Sequence, residues 1–591
     1  MTANKNSALQ FEQSDHIGRV ASVDTSRVAV DVTNSALLTR IAIGGIIAIR
    51  GSTEQDFLIG ITERVTRSSR DSLAPIEGDD GEILLEVAPT DLLQAVLIGT
   101  FRTVDGEKSN VFKRGADSFP QIDRECYVVE GANLQRFMGL LGSDFDENER
   151  LRLGTFVADR TAAAIASGDR FFQRHAAILG STGSGKSYAV ALILERAANL
   201  KYPNIVVFDM HGEYAPLADA SNGGFASRYR VAGPGDLETP ADDVLFLPYW
   251  LLNRDEMLSM IVDRSDNNAP NQASRFTTHV RDLKLATLKR EGRDDVAKTF
   301  TVDSPIPYDL NGLLGLLEKD NTDKGISKST GKEVKGDWEG LLTRFILRLQ
   351  AKLSDRRYGF MFSPPKAADA YLWLAHQLKR LMTSDGGSGI KIIDFSEVPA
   401  DVLPVVTGTL ARLLYDVQFW MSQAERTPIA LLCDEAHLYL PVREDADAVQ
   451  KQALGSFERI AKEGRKYGFS LLVVSQRPSD VSKTILSQCN NFLSLRLTNE
   501  TDQGVIRRLM PDSLSGLTSI LPLLDTGEAL LLGDAMLLPS RIKLDEPKVK
   551  PDSATRDFWR EWGARQPEGN AIELAVESLR AQTRPWGPKK A

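Results

Sequence analysis

The eight residues GSTGSGKS at 180–187 constrain this chain more than any other stretch. They fit the pattern G-x-x-x-x-G-K-[ST], with Gly180, Gly185, Lys186 and Ser187 at the fixed positions. The apolar run AAIL precedes them and the helical pattern SYAVALILERAANL follows, so the motif falls at a strand-to-helix turn. Binding a phosphate takes several converging N–H donors, and only a loop of small side chains lets the backbone wrap an anion. Gly180, Ser181, Thr182, Gly183, Ser184 and Gly185 supply that loop. The helix behind it directs its first amides at the same anion. Lys186 adds positive charge near the β- and γ-phosphates, and the Ser187 hydroxyl is placed to ligate Mg²⁺. The predicted cofactors are ATP and Mg²⁺. A chance Gly-rich turn is the competing reading, and the complete motif in its complete context weighs against it.

Three further stretches fit the same chemistry. IALLCDEAH at 429–437 ends an apolar strand in two adjacent carboxylates. Asp434 would hold the Mg²⁺ shell, and Glu435 would polarise the attacking water as general base. Taken alone, the aspartate reads equally well as a helix N-cap. In SLLVVSQRP at 470–478, Gln476 leaves a strand end with a polar side chain for the γ-phosphate or the lytic water; a plain strand-exit turn is the alternative. The basic segment FERIAKEGRKYGF holds Arg465 and Arg459, the first and second candidates for an arginine that reaches a neighbour's γ-phosphate. Arg174, shortly before the glycine loop, is the third. For each one singly, a solvated surface charge is the simpler reading. NIVVFDMHGEY at 204–214 carries Asp209, His211 and Glu213, but no further ligands cluster with this His-x-Glu spacing. A turn at the site edge or an inter-subunit contact is therefore preferred to a metal site.

The rest of the chain changes texture twice. Up to about residue 140, short β-branched runs such as IGRVASVDTSRVAVDVT, IGGIIAIRG, FLIGITERVTR and EILLEVAP are punctuated by Gly, Asp and Ser, which predicts a small barrel or sandwich. From about 150, apolar strands alternate with helical patterns, the rhythm of a parallel α/β sheet. Residues 250–385 interrupt it with helical spacing. Within them TDKGISKSTGKEVKGD (322–337) reads as an exposed mobile loop. The rhythm resumes at IKIIDF, and the core closes on a hairpin, EALLLGDAMLLPSRIKL, with Gly533 and Asp534 at the turn. The tail from about 546 holds one weak helix with Trp559 and Trp562.

Composition bounds the partners. Lys plus Arg total 71 against 80 Asp plus Glu, a net charge of −9, so a protein that coats nucleic acid with its average surface is excluded. Cys126, Cys433 and Cys489 are odd in number and far apart, which predicts neither a disulfide framework nor a zinc site and points to a reducing, cytoplasmic setting. No apolar run reaches the ~18 residues of a membrane span, so no membrane association is expected.

GSTGSGKS, NIVVFDMHGEY, CDEAHLYLP and EGRKYGFSLLVVSQRPSD, taken in order, resemble the HerA family within the HerA/FtsK group of P-loop motors. The resemblance covers residues 10–545 approximately, and the HIGRV start looks like the barrel that precedes the motor. It implies a RecA-like P-loop core of the additional-strand, catalytic-glutamate type, an N-terminal small β-barrel and a helical insertion. The corresponding division is 1–145 barrel, 146–250 first part of the core, 251–388 insertion, 389–545 second part of the core, and 546–591 tail. It also implies a homo-hexamer that hydrolyses ATP at subunit interfaces and moves double-stranded DNA through a central pore, with a nuclease-like or sirtuin-like effector as partner in DNA end processing or antiphage defence. By position, Lys186 is the phosphate lysine, Asp434 the Mg²⁺ carboxylate, Glu435 the base and Gln476 the sensor, with Arg465, Arg459 or Arg174 acting in trans. Arg443, Lys451, Lys324, Lys328, Lys332 and Lys335 are candidate pore residues, although a solvated loop charge is the simpler reading of each. Two other functions keep the same chemistry: an ATP-regulated oligomeric scaffold that activates an effector enzyme, and a protein-moving secretion ATPase. The latter is disfavoured by the missing membrane segment.

Overall fold

The computed structural model describes residues 7–582 except 25–26, 40, 42, 52, 54–55, 78–82, 106–107, 117, 144–148, 327–331, 385–387, 511, 537, 554–555 and 567–568. The chain divides into two compact units. The first is Met1–Leu200 with Ser475–Ser479 and Ser487–Lys548; the second is Lys201–Val474 with Asp480–Leu486 and Val549–Ala591.

The first unit opens with a closed barrel. Its six strands run in the order Arg27–Val32, His16–Val23, Glu125–Val129, Ile46–Arg50, Asp56–Glu77 and Ile83–Asp105. The ring closes where Arg27 to Asp31 pair antiparallel with Val96 to Leu92. A seventh strand, Lys108–Arg114, pairs onto Ile83–Asp105. The alternation read in RVAVDV does the work: Val28, Val30 and Val32 point inward while Arg27 and Asp31 face out. Val28 and Val30 meet Ile17, Ile47, Leu93 and Cys126 in one buried cluster. Each such side chain contributes roughly 1.5–3 kcal/mol by leaving water.

Beyond the barrel, Ala176–Leu179 runs parallel to Asn491–Ser494. Antiparallel strands Glu528–Gly533, Ser540–Leu544, Arg150–Phe156 and Ala163–Ser167 extend that sheet in turn. The expected parallel rhythm thus gives way to antiparallel pairing here. The expected tight turn at Gly533 and Asp534 is also corrected. Pairing of the two strands with each other ends at Leu531 and Ser540, so Gly533 and Asp534 lie beyond their last paired residues. Gly533 is instead paired on its other side with Asn491 at φ 115°, where a Cβ would fall 2.0 Å from the Asn490 carbonyl oxygen.

The second unit holds parallel strands in the order Val244–Leu245, Ser227–Val231, Ile390–Asp394, Ile205–Asp209, Ile429–Cys433 and Phe469–Ser475. Ile205–Asp209 and Ile429–Cys433 are buried at every position, as strands covered on both faces must be. Helix Ala448–Glu463 starts at a capping box in which Asp447 accepts from the Gln450 N–H at 2.8 Å and Gln450 accepts from the Asp447 N–H at 3.0 Å. Helices Arg254–Ile261, Ala269–Arg290, Leu310–Thr322, Thr343–Ser354 and Trp373–Met382 occupy the stretch expected to be helical. Within it the expected loop is mostly exposed where it is described, its residues 327–331 lie outside the described residues, and Lys324–Ile326 and Glu333–Lys335 pair antiparallel with a 3.0 Å Lys324–Glu333 ion pair. The tail carries two helices rather than one, Phe558–Ala564 and Gly569–Ala581, with Trp559 and Trp562 exposed. Among the described residues, no helix is long and apolar enough to cross a membrane.

Arg412 on helix Leu403–Trp420 makes a buried polar tie in this unit. It grips both carboxylate oxygens of Glu256 at 2.8 Å and the Leu251 carbonyl at 2.8 Å, with Glu256 almost fully buried. Arg412→Ala leaves a buried carboxylate unpaired. It should cost about 3–5 kcal/mol, read as loss of stability in denaturant unfolding followed by tryptophan emission; a shift under about 1 kcal/mol would mean the pair carries no weight.

Candidate active site

The glycine loop lies wholly in the first unit. Strand Ala176–Leu179 delivers it, and helix Lys186–Ala198 leaves it with Gly185 as N-cap at φ 102°. Its walls are fixed by backbone bonds: Ser181 N–H to the Arg496 carbonyl at 2.8 Å, and Gly527 N–H to the Ser184 carbonyl at 3.0 Å. Ser184 is fully buried, Thr182 is exposed, and Lys186 is 9 % exposed. Ser187 opens the helix one residue later. Gln476 accepts a 2.6 Å hydrogen bond from the Thr182 hydroxyl, so the expected sensor and the loop meet in one unit. The SQRP stretch is a strand exit as well, since the Ser475 hydroxyl accepts from the Arg477 N–H at 3.0 Å.

The acidic corner lies wholly in the second unit, where strands Ile205–Asp209 and Ile429–Cys433 run side by side in parallel. Asp434 is 3 % exposed; its N–H donates to the Phe208 carbonyl at 3.2 Å. Burial pushes its carboxyl well above the usual range, and Glu435, Asp209 and Glu213 push it further. Glu435 has φ 44° and ψ 45°, a left-handed conformation that costs a side-chain-bearing residue roughly 1–2 kcal/mol. It is 9 % exposed, and His437 Nδ1 lies 3.3 Å from its Oε2. The N-cap reading of Asp434 does not hold: no side-chain cap bond closes the short helical turn Ala436–Leu438, whose N-cap position is Glu435.

Asp209 is fully buried and accepts four N–H groups: from His211, Gly212 and Glu213 at Oδ1 (3.3, 2.8 and 3.1 Å) and from Tyr214 at Oδ2 (3.0 Å). Burial raises its carboxyl to about 6 in spite of these donors. It organises a turn, while His211 is turned out to solvent. Ser187 carries a hydroxyl in the first unit and Asp434 a carboxyl in the second, the two oxygen-bearing side chains expected from the sequence to serve Mg²⁺. Among the described residues, no three His, Cys, Asp or Glu side chains gather into a metal-holding group.

The three arginines differ. Arg174 pairs with Asp534 in the first unit. Arg459 sits 3.6 Å from Asp416 and from Glu463 and lies over the Tyr415 ring at 5.0 Å. Arg465, in the turn Gly464–Tyr467, is exposed and its side chain forms no ion pair among the described residues. Of the basic residues considered for a pore, Arg443 is paired with Glu458 at 2.9 Å, Lys451, Lys332 and Lys335 are exposed, and Lys328 lies outside the described residues. Sequence reasoning missed Tyr439, whose buried hydroxyl donates to the Asp434 carbonyl at 3.1 Å. It stands inside the run LYLP, where it reads as one more apolar residue.

Residues 151–414 match the family model described as Helicase HerA, central domain. A probable helicase of Methanocaldococcus jannaschii is 25% identical over 452 residues, 75% of this chain and 75% of that protein. The DNA double-strand break repair helicase HerA of Saccharolobus solfataricus is 25% identical over 435 residues, 71% of this chain and 74% of that protein. Among solved structures, the bacterial conjugative coupling protein TrwBdeltaN70 aligns at 15% identity and a TM-score of 0.42, covering 72% of this chain and 94% of that one. The chain carries a glycine loop, parallel strands ending in an acidic corner and a closed N-terminal barrel, it is similar to the HerA-like P-loop ATPases, and its residues 151–414 match the HerA helicase central domain.

Proposed function

We propose that this protein is an ATP-hydrolysing motor that translocates double-stranded DNA. The observation that carries the reading is Glu435, held in an unfavourable backbone conformation beside Asp434, in a chain that also carries a complete glycine loop. Backbone strain at a buried acid is what a site retains when the position of that acid matters more than the ease of folding. Lys186 and the loop amides bind and orient the triphosphate, Glu435 takes the proton of the attacking water, and Gln476 orients that water or the γ-phosphate. Mg²⁺, held by Ser187 and Asp434, would neutralise charge on the phosphates. The raised Asp434 carboxyl supports this assignment, because a cation beside it relieves the crowding of like charges.

The chain acts as a homo-hexameric ring, with Arg465 of one copy completing the site of the next. Free exposure of Arg465 supports it over Arg459 and Arg174, which already have carboxylate partners. The barrel 1–145 offers a platform for a nuclease-like or sirtuin-like effector, with DNA end processing or antiphage defence as the setting. The core is divided as 146–250 and 389–545 around the insertion 251–388, and the tail is 546–591.

Mixing two inactive variants tests the shared site. Arg465→Ala and Lys186→Ala chains, each without turnover, should regain a fraction of duplex-stimulated ATP hydrolysis when combined, because mixed rings contain some interfaces with both groups intact. No recovery from chains shown to co-assemble would rule Arg465 out as the donated group. Turnover indifferent to any DNA would favour the scaffold reading, in which effector activity needs the oligomer and survives Glu435→Gln.

A further inference from the structure

The segment that feeds the glycine loop contains a strained joint. His175, one residue before strand Ala176–Leu179, is buried and has φ 49°, a left-handed conformation uncommon for a residue with a side chain. Such a conformation persists only where its surroundings over-determine it. On one side of the joint the Arg174 carbonyl accepts from the Asn490 N–H at 3.0 Å, and the Arg174 guanidinium pairs with Asp534 Oδ2. The other oxygen of Asp534 accepts from Arg114 Nη1 at 3.2 Å, and Arg114 Nη2 also donates to the carbonyls of Gly533 at 2.9 Å and Met536 at 2.7 Å. Arg114 closes the strand Lys108–Arg114, which pairs onto the barrel. All of these residues belong to the first unit. The loop bearing Asp534 is tied in twice more: the Ser167 N–H donates to the Ala535 carbonyl at 2.8 Å, and the Ala535 N–H donates to Asn491 Oδ1 at 2.8 Å.

We propose that Asp534 is a positioning residue of the ATP site: by binding Arg174 with one oxygen and Arg114 with the other, it links the barrel sheet to the strained joint that aims the glycine loop. This rests on the ATPase reading above. A half-exposed ion triad contributes little to global stability, so what its removal changes is the setting of the loop rather than the fold. Burial works against the Asp534 carboxylate, but hydrogen bonds from Arg174 and Asn490 and the charges of Arg174 and Arg114 hold it below the usual range, so it is ionised at neutral pH. Arg114 is the link that lets a load on the barrel, such as a docked protein, reach the loop.

The test is the set Asp534→Asn, Asp534→Glu and Arg114→Ala in the full chain, read by ATP turnover, by the dissociation constant of a fluorescent ATP analogue, and by melting temperature. A misaimed loop should weaken analogue binding and lower kcat/KM by roughly tenfold in Asp534→Asn, with the melting temperature within a few degrees of the parent. Asp534→Glu should recover most of the loss, and Arg114→Ala should reproduce part of it. Wild-type turnover and analogue affinity in Asp534→Asn, in a preparation where Lys186→Ala is inactive, overturns this inference and leaves the ATPase reading standing. Full turnover in Lys186→Ala overturns the ATPase reading itself. An effect of Asp534→Asn with none from Arg114→Ala overturns the connection to the barrel.

Discussion

Glu435→Gln should lower steady-state ATP turnover by roughly 10²–10⁴-fold while leaving nucleotide affinity near the parent value. The amide keeps the size and shape of the side chain, and the backbone at φ 44° is asked of it just as before. What it lacks is a lone pair basic enough to take a proton from water. Loss of the charge also relieves Asp434, whose carboxyl Glu435 helps to raise, so metal-dependent nucleotide binding should hold or tighten. Single-turnover hydrolysis measured beside equilibrium binding of a fluorescent analogue separates the two effects. Turnover within a few-fold of the parent would remove Glu435 from the base role and send the search to the neighbouring Glu213.

Lys186→Ala should lose both properties. The lysine is almost buried at the first turn of the helix that leaves the loop, where, on the proposed reading, its charge meets the triphosphate. Removing such a preorganised charge costs on the order of 10²–10³ in rate, and the ground state weakens too, because the β- and γ-phosphates bear charge before the reaction begins. Loss of analogue binding together with loss of turnover, at an unchanged melting temperature, is the expected pattern. Lost turnover with intact affinity would move Lys186 to a purely transition-state role.

The sequence disclosed most where a local rule decides the structure. Period-2 alternation in RVAVDV and the apolar runs IALLC and IVVF announced their strands, and GSTGSGKS fixed the start of helix Lys186–Ala198 at its first residue. It disclosed least where distant segments decide. KSNVFKR and ECYVV are short and polar-flanked, and they become strands only because Ile83–Asp105 and His16–Val23 offer them partners. The barrel's closure pairs residues some sixty positions apart, which no local pattern reports. Gly533 looked like a turn glycine. It is in fact a close-approach glycine, and the difference lies entirely in Asn490 and Asn491 beside it. In the site, the residue types of the glycine loop and the two acids were readable. The bond from Thr182 to Gln476 and the hydroxyl of Tyr439 beneath Asp434 were not, because they depend on which strands become neighbours.

The left-handed corner at Glu435 has a consequence for how this chain can drift over evolutionary time. Glycine or asparagine makes such a corner more readily than glutamate, so selection for folding alone would replace the acid. On the proposed reading, a copy that carries either residue there should fold as well and bind nucleotide while losing hydrolysis. On the proposed reading, a glutamate in that conformation keeps the base of the reaction at a corner where ease of folding alone would favour another residue.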